Sequence, residues 1–192
     1  MGGNNMDIKE NYKEIIDRNK INFIKVKFDD ELIKRITDLT NRVIEAKKGE
    51  FHHKVDGNKE FDRFYTGFLG EAAIEQVFGV ETIDWSCGNS KKYNVPDLRK
   101  IGLEVGVKTS ELYNFPIIFK ENNYPQIINI RANNCIYICG LATVEVLNKY
   151  QDDKLILSPN LRKKGTKTGF YGFDSLISLK GINNINELRQ LI

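Results

Sequence analysis

The chain has 192 residues, 41% of them hydrophobic and 29% charged, a length and balance that suit one domain with a real core and exclude a disordered or fibrous protein. The formal charge of +3 excludes a polybasic coat protein, so any nucleic-acid surface must come from local clustering of Lys and Arg. No apolar run approaches the roughly 20 residues of a membrane span.

At the N-terminus, Met1-Gly2-Gly3-Asn4-Asn5-Met6 has no signal-peptide core, and Met6 stands where a myristoylation signal has Ser or Thr. A soluble, cytoplasmic protein without a membrane partner is expected. Three cysteines, an odd number, do not make a disulfide framework. Cys135 and Cys139 flank Ile136-Tyr137-Ile138 in a buried-looking strand; packing is their ordinary role, and a metal pair there lacks a second Cys/His pair at ligand spacing.

In chain order, residues 6–19 form a polar helix candidate and 21–28 a short strand. Asp29 or Asp30 then caps a helix in which Leu32, Ile33, Ile36, Leu39, Val43 and Ile44 keep the 3-4 spacing of one buried face, with Gly49 as its stop. A helix over 61–79 ends at Gly79. Strands are expected at 81–85, 93–99, 103–109, 116–120, 126–131 and 134–141, then a helix over 143–150 and a closing helix over 186–192. No repeat or Pro/Gly-rich linker divides the chain. One domain spanning 1–192 is expected: an N-terminal elaboration over 1–58, a core over 59–150, and a C-terminal stretch over 151–192. The order of elements gives an α/β fold, a central mixed β-sheet flanked by helices.

Metal-dependent phosphodiester cleavage needs carboxylates to hold Mg²⁺ and a cation near the scissile phosphate. The run from Val95 to Thr109 carries both types on a hairpin that turns at Lys100-Ile101-Gly102. In its second strand Glu104, Gly106 and Lys108 share one face, with Glu104 and Lys108 about 13 Å apart along the strand. Asp97, across the hairpin, can point to the same face. Singly, each has an ordinary reading: Asp97 a turn carboxylate, Lys108 an edge-strand guard, Glu71 a solvated helix residue. Together on one surface they favour a site, because a lysine beside two acids in an apolar strand is costly unless it serves them.

Pro96-Asp97, followed by an acid-and-lysine strand ending Lys108-Thr109, resembles the PD-(D/E)XK nucleases, in particular enzymes of the type II restriction kind. Gly67-Phe68-Leu69-Gly70-Glu71-Ala72-Ala73 resembles the first helix of that fold, whose glutamate often joins the metal site. The resemblance covers roughly 61–141. It implies a restriction-endonuclease-like core, a Mg²⁺ cofactor (Mn²⁺ able to substitute), double-stranded DNA as partner and a homodimer. Asp97 is the implied chief metal ligand, with Glu104 or Glu71 as the second, and Lys108 the catalytic cation. The family's second acid lies two residues before its lysine, and here that position is Gly106. Three readings stay open: Glu104 reaches the metal if the strand bends or bulges at Gly106; Glu71 or Glu111 takes the role; or the site no longer cuts. Phage or repair nucleases acting on branched or damaged DNA, and a DNA-binding module with a degenerate site, are the alternatives.

From Leu155 to Phe173 stand four cations, Arg162, Lys163, Lys164 and Lys167, and no acid, among Gly165, Gly169 and Gly172. Such a loop suits phosphate contacts. Phe170, Tyr171 and Phe173 fit an apolar anchor better than base stacking. His52, His53, Lys54 and Arg63 can line the same groove. Asn114, Asn122, Asn123 and Gln126 can read adenine edges or simply make turns.

Overall fold

The computed structural model describes residues 8–47, 57–86 and 95–192. The first helix, α1 (Ile8–Asn19), leads into the short strand β1 (Ile24–Lys27) and helix α2 (Asp30–Lys47). Asp29 caps α2, its carboxylate accepting from the Leu32 N–H at 2.8 Å. Ile36, Leu39, Thr40 and Val43 form the buried stripe that the 3-4 spacing requires. Helix α3 (Gly57–Phe78) follows and stops at Gly79, whose left-handed φ of +64° lets its N–H bond the Glu75 carbonyl at 2.9 Å.

Among the described residues, two of the expected strands are not formed. Along 81–84 the Thr82 and Ile83 N–H groups both donate to the Glu75 carboxylate, at 2.5 and 2.6 Å, so a side chain takes the donors that a ladder would have used. The described part of 93–99 is a 3₁₀ turn over Asp97–Ile101, closed by Leu98 N–H to the Val105 carbonyl and by Gly102 in the left-handed region. Because Leu103 and Val105 are tied to that turn, strand β2 starts later than its apolar alternation indicates, at Gly106–Glu111.

Strands β3 (Ile117–Phe119), β4 (Gln126–Ala132) and β5 (Cys135–Ala142) follow, then helix α4 (Val144–Lys149), β6 (Gln151–Asp152), α5 (Pro159–Lys164), β7 (Lys167–Phe170) and α6 (Ile185–Arg189). The main sheet runs β1-β5-β4-β2. Its pairs are antiparallel except β2 with β4, so it is a mixed sheet with β2 at its edge. A small antiparallel sheet, β3-β7-β6, stands beside it. Two cores cover the two faces. Ile127, Ile136 and Ile138 pack with α2 and α3, while Ile128 and Ile130 pack with Tyr12, Phe115, Phe170 and Phe173. Cys139 is the extra residue at the β4–β5 register shift and lies in the second core, where burial pushes its thiol up; Cys135 is half-buried. Among the described residues no helix is long and apolar enough to cross a membrane.

Helix α3 meets the sheet at Gly70. A Cβ there would fall on the Thr109 hydroxyl and 3.0 Å from the Thr109 Cβ. Asn129, paired with Thr109 across β2 and β4, donates to the Gly70 carbonyl at 3.4 Å. Alanine would raise helix propensity by about 1 kcal/mol, but overpacking costs about 1–3 kcal/mol, so the clash wins. Chemical denaturation should therefore find Gly70→Ala destabilised, and less so when Thr109→Ala, which removes the hydroxyl but keeps the Cβ 3.0 Å away, is also present. The Thr109 hydroxyl has no protein partner to lose. A coupling below about 0.5 kcal/mol in that double-mutant cycle would show that the helix simply shifts away.

Candidate active site

Strand β2 bonds β4 through alternate N–H groups, Gly106 to the Pro125 carbonyl and, past the strand's end, Leu112 to that of Arg131. In a parallel pair the intervening N–H groups, starting with Val107, face the open edge. Asp97 closes the first of them: its Oδ2 accepts from the Val107 N–H at 2.6 Å. Pro96 precedes Asp97 in an extended conformation, and the 3₁₀ turn then holds the carboxylate beside the strand.

Around this point lies a cavity of about 180 Å³ between β2 and β3, walled by Asp97, Gly106, Lys108, Phe119, Tyr124 and Gln126. Burial pulls the Lys108 ammonium down to a pKa of about 8; Lys167 and Arg63 push the same way, and Asp97 opposes them. Burial also raises the Asp97 carboxyl, against the Val107 N–H and the Lys108 charge. Glu71, next to Gly70 on α3, is held well above the usual carboxylate range by burial, then by the charges of Asp97, Glu75 and Asp84. The Asp97 charge acts on both Glu71 and Lys108. Glu71 belongs to α3 on one face of the sheet, whereas Lys108 and Asp97 wall the cavity at its edge.

Glu104 is not part of this cluster. It lies outside β2, exposed, in an ion pair with Arg99 at 3.0 Å. Nor does the strand bend at Gly106, for its pairing with β4 runs unbroken from Gly106–Gln126 to Glu111–Arg131. Glu111 is at the far end of β2, paired with Arg131 at 3.1 Å. Gly106 itself is covered: a Cβ there would lie 2.9 Å from Tyr124 Cε2 and 3.6 Å from Asp97 Oδ2. The ring of Tyr124 stands where an acidic side chain would have to go. Sequence reasoning did not single out Tyr124 as a wall of the site; its partner Gly106, a side-chain-free position inside an apolar strand, was the available signal.

The basic loop divides. Lys167 opens β7 beside the cavity, its ammonium 5.3 Å from the ring centre of the wall residue Phe119 and held down by burial, Arg63 and Lys164. Lys163 and Lys164 end α5 on the exposed side. Arg162 is structural, donating through Nε to the Ile156 carbonyl at 2.6 Å and through Nη2 to that of Lys154 at 3.5 Å. Phe170 and Phe173 anchor the loop in the second core. Asn122 and Gln126 bond one another, and Asn122 also bonds Asn148, so these amides brace β3 against α4. His52, His53 and Lys54 lie outside the described residues.

Among the described residues no group of three or more His, Cys, Asp or Glu stands together for a metal ion. Two mutually repelling carboxylates, Asp97 and Glu71, nonetheless suit Mg²⁺, which takes one or two carboxylates and completes its shell with water and phosphate oxygens. No family model, curated protein or solved structure matches the chain.

Like charges gathered at a site weaken the fold around them. Thermal denaturation at pH 7 should find Glu71→Gln more stable than the parent. Glu104→Gln, which removes only an exposed ion pair, should change stability by less than about 1 kcal/mol. A loss of stability in Glu71→Gln would mean that the carboxylate is held by partners that offset the repulsion.

Proposed function

We propose that this chain is a metal-dependent DNA endonuclease built on a restriction-endonuclease-like core, hydrolysing phosphodiester bonds at the β2 edge. The observation that carries this reading is that Asp97 and Lys108 wall one cavity at the β2 edge, where the Asp97 charge also raises the Glu71 carboxyl. Asp97 and Glu71 would hold Mg²⁺ or Mn²⁺, which when bound supplies charge neutralisation at the phosphate. Lys108, with its pKa drawn towards neutrality, can steady the attacking water and the charge that grows on the phosphoryl oxygens. Lys167 and Arg63 seat the phosphate, and Lys163 and Lys164 extend the contact along the backbone. Cutting both strands of a duplex calls for two copies, so the active form on duplex DNA is a homodimer.

One observation favours a second reading. With Gly106 closed by Tyr124, the acid two residues before the lysine is missing, as in a DNA-binding module that has lost cleavage.

A plasmid-nicking assay with Mg²⁺ separates the two. Cleavage is expected, falling at least about 100-fold in Asp97→Asn and in Lys108→Ala. In thermal-shift measurements Ca²⁺ should stabilise the parent and Glu104→Gln alike, and lose that effect in Asp97→Asn. Binding without cleavage, and without any Ca²⁺ shift, would establish the second reading.

A separate titration addresses the basic loop. Replacing Lys163, Lys164 and Lys167 together should lower the salt slope of DNA binding by roughly one unit per lost phosphate contact. Arg162→Ala should instead cost stability, because two backbone carbonyls lose their donor. An unchanged slope in the triple variant would place the DNA elsewhere.

A further inference from the structure

Gly106 and Tyr124 are matched to one another. One point on β2, where a Cβ of residue 106 would stand, is 2.9 Å from Tyr124 Cε2 and 3.6 Å from Asp97 Oδ2. A side chain there would drive the ring away, so the glycine is what lets the ring in. The contact is made by Cε2, the carbon next to the one that bears the hydroxyl. The polar end of the ring, not its stem, therefore lies over the strand. Ring and carboxylate flank the same point, and both wall the cavity of about 180 Å³ together with Lys108.

The phenol is a neutral donor in this place. A tyrosine keeps its proton at neutral pH, and burial and the Asp97 charge hold it there more firmly. Asp97 does not use that proton: the hydrogen bonds that favour its charged form come from backbone N–H groups, of Val107 and of Asp97 itself. The charge of the cavity favours an anion. Among the described residues of its wall Asp97 is the one acid, whereas Lys108 stands there with Lys167 and Arg63 near enough to act on it. An acid at residue 106 would cancel that excess, and it would add a third carboxylate to Asp97 and Glu71, which already repel one another. A phenol adds a donor without adding charge.

We propose that the Tyr124 hydroxyl donates to a non-bridging oxygen of the substrate phosphate and so positions it against Lys108. This rests on the phosphate site proposed above and deepens it. The place that an acid at residue 106 would fill is held by a neutral donor, so the site takes a phosphodiester without a divalent cation.

The test uses the full chain, freed of divalent cations with EDTA, and two probes. These are inorganic phosphate and the dinucleotide thymidylyl-thymidine, whose phosphate is a diester. Binding is followed by NMR in protein carrying tyrosine labelled with carbon-13 at Cζ, where the Tyr124 signal is the one missing from Tyr124→Phe. Both probes are expected to move that signal. Tyr124→Phe keeps the ring over Gly106 and should weaken both probes by at least about tenfold, the ordinary worth of a hydrogen bond to a charged group, with thermal stability unchanged. Sulfur accepts hydrogen bonds poorly. One of the two phosphorothioate diastereomers of the dinucleotide should therefore bind the parent more weakly than the other, and Tyr124→Phe should narrow that difference, which a packing role for the ring would not do. Equal affinities in the parent and Tyr124→Phe overturn the inference and leave the cation site standing. A loss confined to inorganic phosphate also overturns it, placing a free phosphate and not a diester at Tyr124. If neither probe binds the parent, the inference fails, and the nicking assay decides the wider function on its own. If both bind through Tyr124 but no plasmid is nicked, the inference holds for a module that binds without cutting.

Discussion

Thr109 projects from β2 towards α3 at the one turn of the helix where residue 70 offers no side chain. Were the helix held off by a Cβ, Glu71 would retreat from the strand edge together with its neighbour. The close approach thus sets more than core density. It carries a carboxylate from a helix on one face of the sheet to a position where it feels Asp97, which itself reaches in from the edge. Leu69, Ala72, Ala73 and Ile74 bury the rest of this surface and fix the helix in that place. Asn129 adds a hydrogen bond to the Gly70 carbonyl, so the contact is directional as well as apolar.

An edge strand exposes unpaired backbone groups that invite another strand. Here the edge of β2 is dealt with unequally along its length. Asp97 takes the Val107 N–H and so converts a pairing hazard into an anchor for a carboxylate. The geometry explains why a tight 3₁₀ turn, and not the hairpin strand that the alternation of residues indicates, precedes β2. A strand in that place would pair with Val107 through its backbone and turn the Asp97 side chain out of the edge plane. Further along, a second cavity beside β2 leaves room that the protein does not fill with its own side chains.

Much of the fold was legible in the sequence, for reasons that can be named. The α2 stripe and its Asp29 cap, the Gly79 stop of α3, and strands β4 and β5 all follow from local periodicity and end signals. What could not be read was where donors go when side chains compete for them. Glu75 takes two N–H groups from 82–83, and no periodicity reveals that. Strand parity likewise put Glu104 and Lys108 on one face, but parity holds only within a strand, and Glu104 precedes the first residue of β2. Asp97, Lys108 and Glu71 stand out in the sequence because their order along the chain carries the pattern, and the structure sets Asp97 and Lys108 on one cavity. Tyr124 was missed because its relation to Gly106 is purely spatial.

Among the described residues four buried side-chain polar atoms lack a protein partner: Thr109 Oγ1, Ser110 Oγ and Asn129 Oδ1 sit on β2 or directly across from it, and Tyr12 Oη lies in the second core. Glu71 and Asp97, pushed towards the protonated form by burial, lie alongside. A segment optimised for stability alone would carry apolar residues at these positions, since each unpaired buried polar group costs about 1–3 kcal/mol. The remainder of the sheet shows what that looks like, with Ile127, Ile128, Ile130, Ile136 and Ile138 close-packed on both faces. Stability is concentrated in β4 and β5 and given up along β2. Thr109 and Asn129 spend their polar groups on the close approach of α3 at Gly70, whereas Asp97 and Lys108 turn theirs to the cavity at the sheet edge.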